Sequence, residues 1–284
     1  MKSSEDAVGI MQSSKVSCII PTRNRRHMLG RAIESVLSQE SVVPEIVVVD
    51  DGSVDDTIDF VKTTFPSIRL LRLAGDGPGP ARNAGVAAST GDLMMFLDSD
   101  DIWRPRHVLD LWEVINRGFE VVYGVCYNVD QVNGGDFLIP ASGTEVEGEC
   151  FDQIGRWCFM VPSAMAVSRR AFTAVGGFPG GGPGEIGEDW AFFLKLAACF
   201  PFGFKAGPPV TTRYLHENSL CAMTSREKIL ASLRRLRRIV EHEKNDRARV
   251  LSRFLAMEQW VIAKGEKWTT VQEWYLSMKQ GGLI

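Results

Sequence analysis

The sequence predicts an α/β fold: a mostly parallel central sheet with helices on its flanks. Three observations predict it. Short apolar runs, several rich in β-branched residues, alternate four times with helical patterns in the first hundred residues, the order of a doubly wound sheet. Several of these runs stop at acidic or turn-forming residues, and ligands of open α/β sheets gather beyond the carboxyl ends of the strands. The composition, 284 residues with 45% hydrophobic and 24% charged content, is that of a globular chain able to enclose a sizeable core.

The elements follow in order. Residues 1–14 are polar and expected to fray, and residues 16–20 form an apolar strand stopped by Pro21-Thr22. Leu29, Ala32, Ile33, Val36 and Leu37 recur at three and four, one face of a helix. Residues 45–49 are a β-branched strand that breaks at Asp50-Asp51-Gly52-Ser53, and Ser53 with Asp56 resembles a capping box opening a helix through Thr64. A third strand spans 68–73. Residues 75–80 hold too much glycine and proline for regular structure, and 81–89 favour helix. The run 93–97 then delivers Asp98-Ser99-Asp100-Asp101 at its end.

Beyond it, Pro105 begins a helix carrying Val108, Leu111, Trp112 and Ile115 that stops at Gly118, followed by a strand over 121–127. Asn133-Gly134 signals a hairpin between 127–129 and 137–139. An apolar stretch at 164–168 leads into a short helix over 169–175 with a Gly176-Gly177 stop. The glycines of 180–187 predict a loop that orders when ligand binds, and Glu188-Asp189-Trp190 opens a buried helix. After a strand at 210–215 the chain is helical in character from Ser225 to about Lys279, with Arg234, Arg235, Arg237 and Arg238 forming a basic run.

Several function classes are excluded. A formal net charge of −3 provides no global basic field for nucleic acid. Six scattered cysteines without a Cys-x-x-Cys pair fit reduced thiols rather than a disulfide or zinc framework, and no apolar stretch approaches a membrane span. With no signal-peptide core in its first twelve residues, the expected location is the cytoplasm. The turn after the first strand, Pro21-Thr22-Arg23-Asn24, lacks the glycines of a dinucleotide site, and no phosphate-loop Gly-Lys-Ser/Thr occurs. A phospho-receiver would need a lysine downstream of its acidic pocket, and none lies between Lys62 and Lys195.

The chemistry points to the strand ends. Asp98 and Asp100, two apart, face one side if the chain stays extended. Clustered carboxylates of this kind suit a hard divalent ion, Mg²⁺ or Mn²⁺, that in turn holds phosphates. The competing reading is a strand end with helix-capping aspartates.

Residues 16–25, Ile46-Val47-Val48-Val49-Asp50-Asp51-Gly52-Ser53, Ala81-Arg82-Asn83-Ala84-Gly85, Phe96-Leu97-Asp98-Ser99-Asp100-Asp101 and Gly187-Glu188-Asp189-Trp190 together resemble the family 2 glycosyltransferases of GT-A fold. The resemblance covers about 15–220: a nucleotide-binding half at 15–101, an acceptor-binding half at 102–220, and a C-terminal helical extension at 221–284. It implies that Pro21, Thr22, Asn24, Asp51, Arg82 and Asp98 bind the nucleotide donor, with Asp51 accepting from the base and Asp98 nearest the ribose. It implies Asp100 and His216 as ligands of Mn²⁺ or Mg²⁺, Asp189 as catalytic base, and Glu188 and Trp190 on the acceptor side. Trp103 and Trp190 are candidates to stack on a sugar, with core packing the alternative. The implied reaction is inverting transfer of one sugar from a nucleotide diphosphate sugar, a UDP-sugar first among them, to a carbohydrate or lipid-linked acceptor. The Gln-x-x-Arg-Trp of processive synthases is missing, which favours single transfers over polymer synthesis. The basic run reads first as a solvated helix face, with peripheral contact at an anionic membrane the alternative. A sugar nucleotidyltransferase and a non-catalytic nucleotide-sugar binder are the alternatives.

Overall fold

The computed structural model describes residues 15–40, 42–132, 134–180, 186–219, 225–241, 248–264 and 279. The first half is strand-helix alternation: β1 (Val16–Thr22), α1 (Arg26–Leu37), β2 (Glu45–Asp51), α2 (Thr57–Thr64), β3 (Arg69–Leu73), α3 (Pro78–Ala88) and β4 (Leu93–Phe96). The irregular stretch expected at 75–80 is shorter than its composition implies, because α3 begins at Pro78, and a proline in the first helical turn forfeits no hydrogen bond. The expected capping box before α2 does not form: the N-cap is Asp56 without a side-chain bond, and the Ser53 hydroxyl accepts the Asn24 N–H at 2.8 Å instead.

The second half contains β5 (Ile102–Trp103), α4 (His107–Ile115), β6 (Val121–Gly124), β7 (Cys126–Asp130), β8 (Asp136–Ile139), α5 (Phe151–Ile154), β9 (Met165–Ser168), α6 (Arg169–Ala174), α7 (Glu188–Cys199), β10 (Phe202–Lys205) and β11 (Thr211–Leu215). The single strand expected at 121–127 is two, β6 and β7, which part at Val125 into different sheets. β7 and β8 form the expected hairpin; Asn133 of its turn lies outside the described residues. The C-terminal segment contributes α8 (Arg226–Glu241) and α9 (Ala248–Lys264). The expected frayed start at 1–14, Gly181 to Glu185 of the glycine-rich loop and the helix expected over 265–278 lie outside the described residues.

Seven strands make the main sheet in the order β10-β6-β9-β4-β1-β2-β3, and four make a smaller one, β5-β11-β7-β8. β3, β2, β1 and β4 are parallel neighbours, and β9 runs antiparallel between β4 and β6. One face of the main sheet (Cys18, Ile20, Val48) packs on α1, α2 and α4; the other (Ile19, Val47, Val49) packs on α3, α6 and α7. The central strands are buried on both faces, so they read as continuous apolar runs rather than alternating ones. Gly85 permits the closest approach on the second face: a Cβ there would lie 2.4 Å from Cγ2 of Ile19. Ile229, Leu233, Leu236, Val250, Phe254 and Met257 join that same core, so the C-terminal helices are packed onto the sheet domain along their length. Because β4, β1 and β2 are consecutive, their carboxyl ends bring Asp98, Thr22 and Asp51 to a single rim.

Candidate active site

A cleft opens at that rim. Pro21, Thr22 and Asp51 line it from β1 and β2, Asp98, Ser99 and Asp100 from the turn after β4, and Glu188 and Asp189 from the start of α7. Asp51 is almost fully buried, and its carboxylate accepts the backbone N–H groups of Asp76 and Gly77 at 2.8 and 2.9 Å. It therefore pins the loop that leads into α3, leaving lone pairs for a further donor. Asn24 does not line the cleft. Its backbone is left-handed (φ 52°), and its side-chain oxygen accepts from the Val54 N–H at 2.9 Å, so it ties the loop after β1 to the loop after β2.

The chain does not stay extended past β4. It turns, with the Asp101 N–H donating to the Asp98 carbonyl at 2.9 Å, so Asp98 and Asp100 acquire different partners instead of facing one side. Asp98 pairs with Arg82 (2.6 Å), whereas Asp100 meets His216 Nε2 at 3.0 Å with Arg25 4.0 Å away. Burial works against ionisation of Asp100, but the His216 hydrogen bond and the Arg25 charge outweigh it and hold the carboxyl below its ordinary range. Asp101 is structural: burial, with Asp100 and Asp98 beside it, drives its carboxyl well up, and the Ser163 hydroxyl donates to it at 2.6 Å. Ser163 also accepts the Asp98 N–H at 3.0 Å, and its carbonyl accepts from Trp103 Nε1 and the Thr211 hydroxyl. One buried serine thus fixes the whole acidic turn.

Arg82 stands at the junction of the two walls. It is 3% exposed, lies over the Phe178 ring at 5.0 Å, and reaches Asp98 with one nitrogen and Glu188 with another at 3.0 Å. The cation that is disfavoured at a helix start is therefore held here by two carboxylates of the chain. Burial and the neighbouring Asp189 push the Glu188 carboxyl up to about 7, although Arg82 pulls the other way. Asp189 lines the cleft beside it in the first turn of α7, its carboxylate accepting the Trp190 N–H at 2.7 Å.

The acceptor assignment of Trp190 is corrected, and Trp103 takes the core alternative. Trp190 turns away from the cleft into the core, its indole donating to the Ile154 carbonyl at 2.7 Å and meeting Phe254 edge-on. Trp103 is buried and stacked on His107 at 4.0 Å. Both indole N–H groups find backbone acceptors inside, as buried indoles do. The sequence reading missed Arg23, Arg25, Arg213, Tyr214 and Ser219, which also line the cleft. Their only signal is position: Arg23 and Arg25 flank Asn24, and Arg213 and Tyr214 precede His216 on β11. Among the described residues no three His, Cys, Asp or Glu side chains form a metal cage.

The fold is that of the GT-A class. Staphylococcus aureus TarS 1–349, solved with UDP-GlcNAc, superposes with a TM-score of 0.69 at 20% identity over 85% of this chain and 71% of that one. A mannosyltransferase from Pyrobaculum calidifontis, solved with GDP-Man and Mn²⁺, gives 0.58 at 17% identity over 86% and 69%. The family model for glycosyl transferase family 2 matches residues 17–175, more than half the chain. The chain belongs to glycosyl transferase family 2. A relative from Nostoc, an uncharacterized glycosyltransferase, is 36% identical over 172 residues, 57% of this chain and 53% of its own length. The chain thus spans about half of that relative, and less of the other curated relatives it matches first.

Proposed function

We propose that the protein is an inverting glycosyltransferase that moves one sugar from a nucleotide diphosphate sugar to an acceptor hydroxyl in a single displacement. One observation carries this reading: two carboxylate systems, Asp98 with Asp100 and Glu188 with Asp189, line a single cleft at the sheet's carboxyl rim and meet at Arg82. One suits the donor and the other an acceptor proton.

In this reading the nucleotide lies over Pro21 and Thr22, with Asp51 accepting from the base and Asp98 from the ribose. Asp189 takes the proton of the acceptor hydroxyl as its oxygen attacks the anomeric carbon from the face opposite the diphosphate. The bond from that carbon to the diphosphate oxygen breaks, and its electron pair leaves with the diphosphate. Arg25 and Arg213, both on the cleft wall, share the charge of the leaving group. Asp100 and His216 fit a divalent ion as an ionised carboxylate and an imidazole 3.0 Å apart, two protein ligands being enough where substrate phosphates complete the shell. Mn²⁺ or Mg²⁺ held there would neutralise diphosphate charge.

The TarS structure contains UDP-GlcNAc, which supports a UDP-sugar as first candidate donor. A curated relative from Campylobacter jejuni, 32% identical over 117 residues, is named as a glucosyltransferase acting on an undecaprenol-linked sugar, which supports a carbohydrate or lipid-linked acceptor and a role in polysaccharide or glycoconjugate synthesis. No helix among the described residues is long and apolar enough to cross a membrane.

A thermal-shift screen of nucleotide sugars, each with and without Mn²⁺, tests the donor half, since a ligand of the folded state raises its stability. Proton NMR of the first product tests the rest: the anomeric configuration should invert. Retention would overturn the single displacement.

A further inference from the structure

We infer that α8 positions the acceptor-side carboxylates, with Arg235 and Ser232 as the positioning residues. This rests on the reading of Asp189 as base. The basic run is not a free cationic face: Arg234 pairs with Glu258 of α9 at 2.9 Å, Arg237 lies 3.6 Å from the same carboxylate, and Arg235 donates to the Ile186 carbonyl at 3.2 Å. Arg234 and Arg237 hold α8 against α9. Arg235 instead reaches the residue just ahead of α7.

The second contact is steric. Gly187, the N-cap of α7, has φ 80°, and a Cβ on it would lie 2.0 Å from Ser232 Oγ. The Ser232 side chain of α8 therefore occupies the space that any side chain at residue 187, just before Glu188, would need. Ile186 is buried in the same core cluster as Ile229, Leu233 and Leu236 of α8. Arg235 pulls on residue 186, Ser232 bears on residue 187, and residues 188 and 189 follow with no slack between them. The register of Glu188 and Asp189 is set from α8, outside the span matched by the family model.

The full chain tests this through Arg235→Met, which cuts the tether, and Ser232→Leu, which wedges the contact, with Arg235→Lys and Ser232→Ala as conservative controls. Affinity for UDP with Mn²⁺ is measured by calorimetry. Turnover is measured on UDP-GlcNAc or GDP-mannose, whichever the parent protein cleaves. Amide exchange is followed by mass spectrometry over residues 186–192. Both disruptive variants should keep UDP affinity and lose turnover on the order of 10²-fold, since a displacement near 1 Å has that effect. Exchange should quicken at 186–192 and not in the central strands, and both controls should behave as the parent.

Parent-like exchange at 186–192 in both disruptive variants would overturn the inference, as would parent-like turnover beside an Asp189→Asn protein that has lost it. If Asp189→Asn itself turns over normally, the base reading has failed and not the brace, which the exchange data then decide alone. Should Arg235→Met not fold, Ser232→Leu decides by the same measurements.

Discussion

The two carboxylate walls of the cleft are built in opposite ways. The turn proposed to face the donor, Asp98 to Asp101, grows directly from a buried strand and is held from three directions, by Ser163, Arg82 and His216. The pair proposed to face the acceptor, Glu188 and Asp189, follows a glycine-rich stretch; α8 touches Ile186 and Gly187 just before it, and Arg82 pairs with Glu188. A donor site gains from being preorganised, because nucleotide and diphosphate are constant features of a nucleotide sugar.

Breaking the acceptor side should have the largest effect. Asp189→Asn keeps the shape of the side chain but cannot take a proton, so turnover should fall by roughly 10²–10⁴-fold with donor affinity retained. Melting temperature, nucleotide affinity and turnover measured on one preparation distinguish this from a structural role. A folded mutant with near-normal turnover would remove Asp189 from the chemistry.

Arg82→Gln strikes the joint between the walls and should show in stability. It strands Asp98 and Glu188 without the guanidinium, and breaking a buried pair by removing one partner costs about 3 kcal/mol or more. Urea titration should show the loss. If Glu188→Gln in the same chain restores none of it, the Arg82–Glu188 contact contributes little.

The donor wall is sharpened by Asp100→Ala. Binding of UDP should lose its enhancement by Mn²⁺, while binding without metal changes little, since Thr22 and Asp51 remain in place. The size expected is at least ~10-fold, the lower end of what even outer-shell changes do to metal sites. An unaltered Mn²⁺ dependence would take Asp100 out of the metal site.

The same contrast explains what could be read from the sequence. β1, β2 and β4, with the acidic residues at the ends of the latter two, were legible because strands buried on both faces must be apolar and must stop where the core stops. The start of α7 was legible for a related reason, a charged pair abutting an apolar helix. The partners were not. His216 meets Asp100 across 116 positions, and Arg82 meets Glu188 across 106, distances at which no local pattern survives. β5 and β10 were missed because two and four residues are too short to show a period. Ser163 lies in a single helical turn between Val161 and Met165 and carries no signal of its hydrogen bonds. Trp190 was assigned to the acceptor from its neighbours Glu188 and Asp189. On a helix, however, adjacent residues face different ways, and the apolar one took the core.

A pH dependence separates the two walls by the sign of their contributions. The Glu188 carboxyl is raised from its ordinary 4.5 to about 7, first by burial and then by Asp189, whereas Asp100 is held below its ordinary range. The two have opposite signs in stability. A raised carboxyl binds its proton more tightly in the folded state than in the unfolded chain. It therefore costs nothing below about pH 4.5, and its cost accumulates as pH rises through the interval to about 7. Asp100 contributes stability at neutral pH that is lost only as pH falls through its depressed value. Glu188→Gln removes the first term alone, so the variant should match the parent near pH 4, gain on it between about pH 4.5 and 7, and hold that gain above. Asp100→Asn should instead lose stability at neutral pH and approach the parent in acid. Urea midpoints of the three proteins from about pH 2 to pH 8 decide the matter, the acid end being where Asp100 is protonated. A Glu188→Gln curve parallel to the parent's would mean that Arg82 cancels the burial of Glu188, and that the acceptor wall is as fully paired as the donor turn.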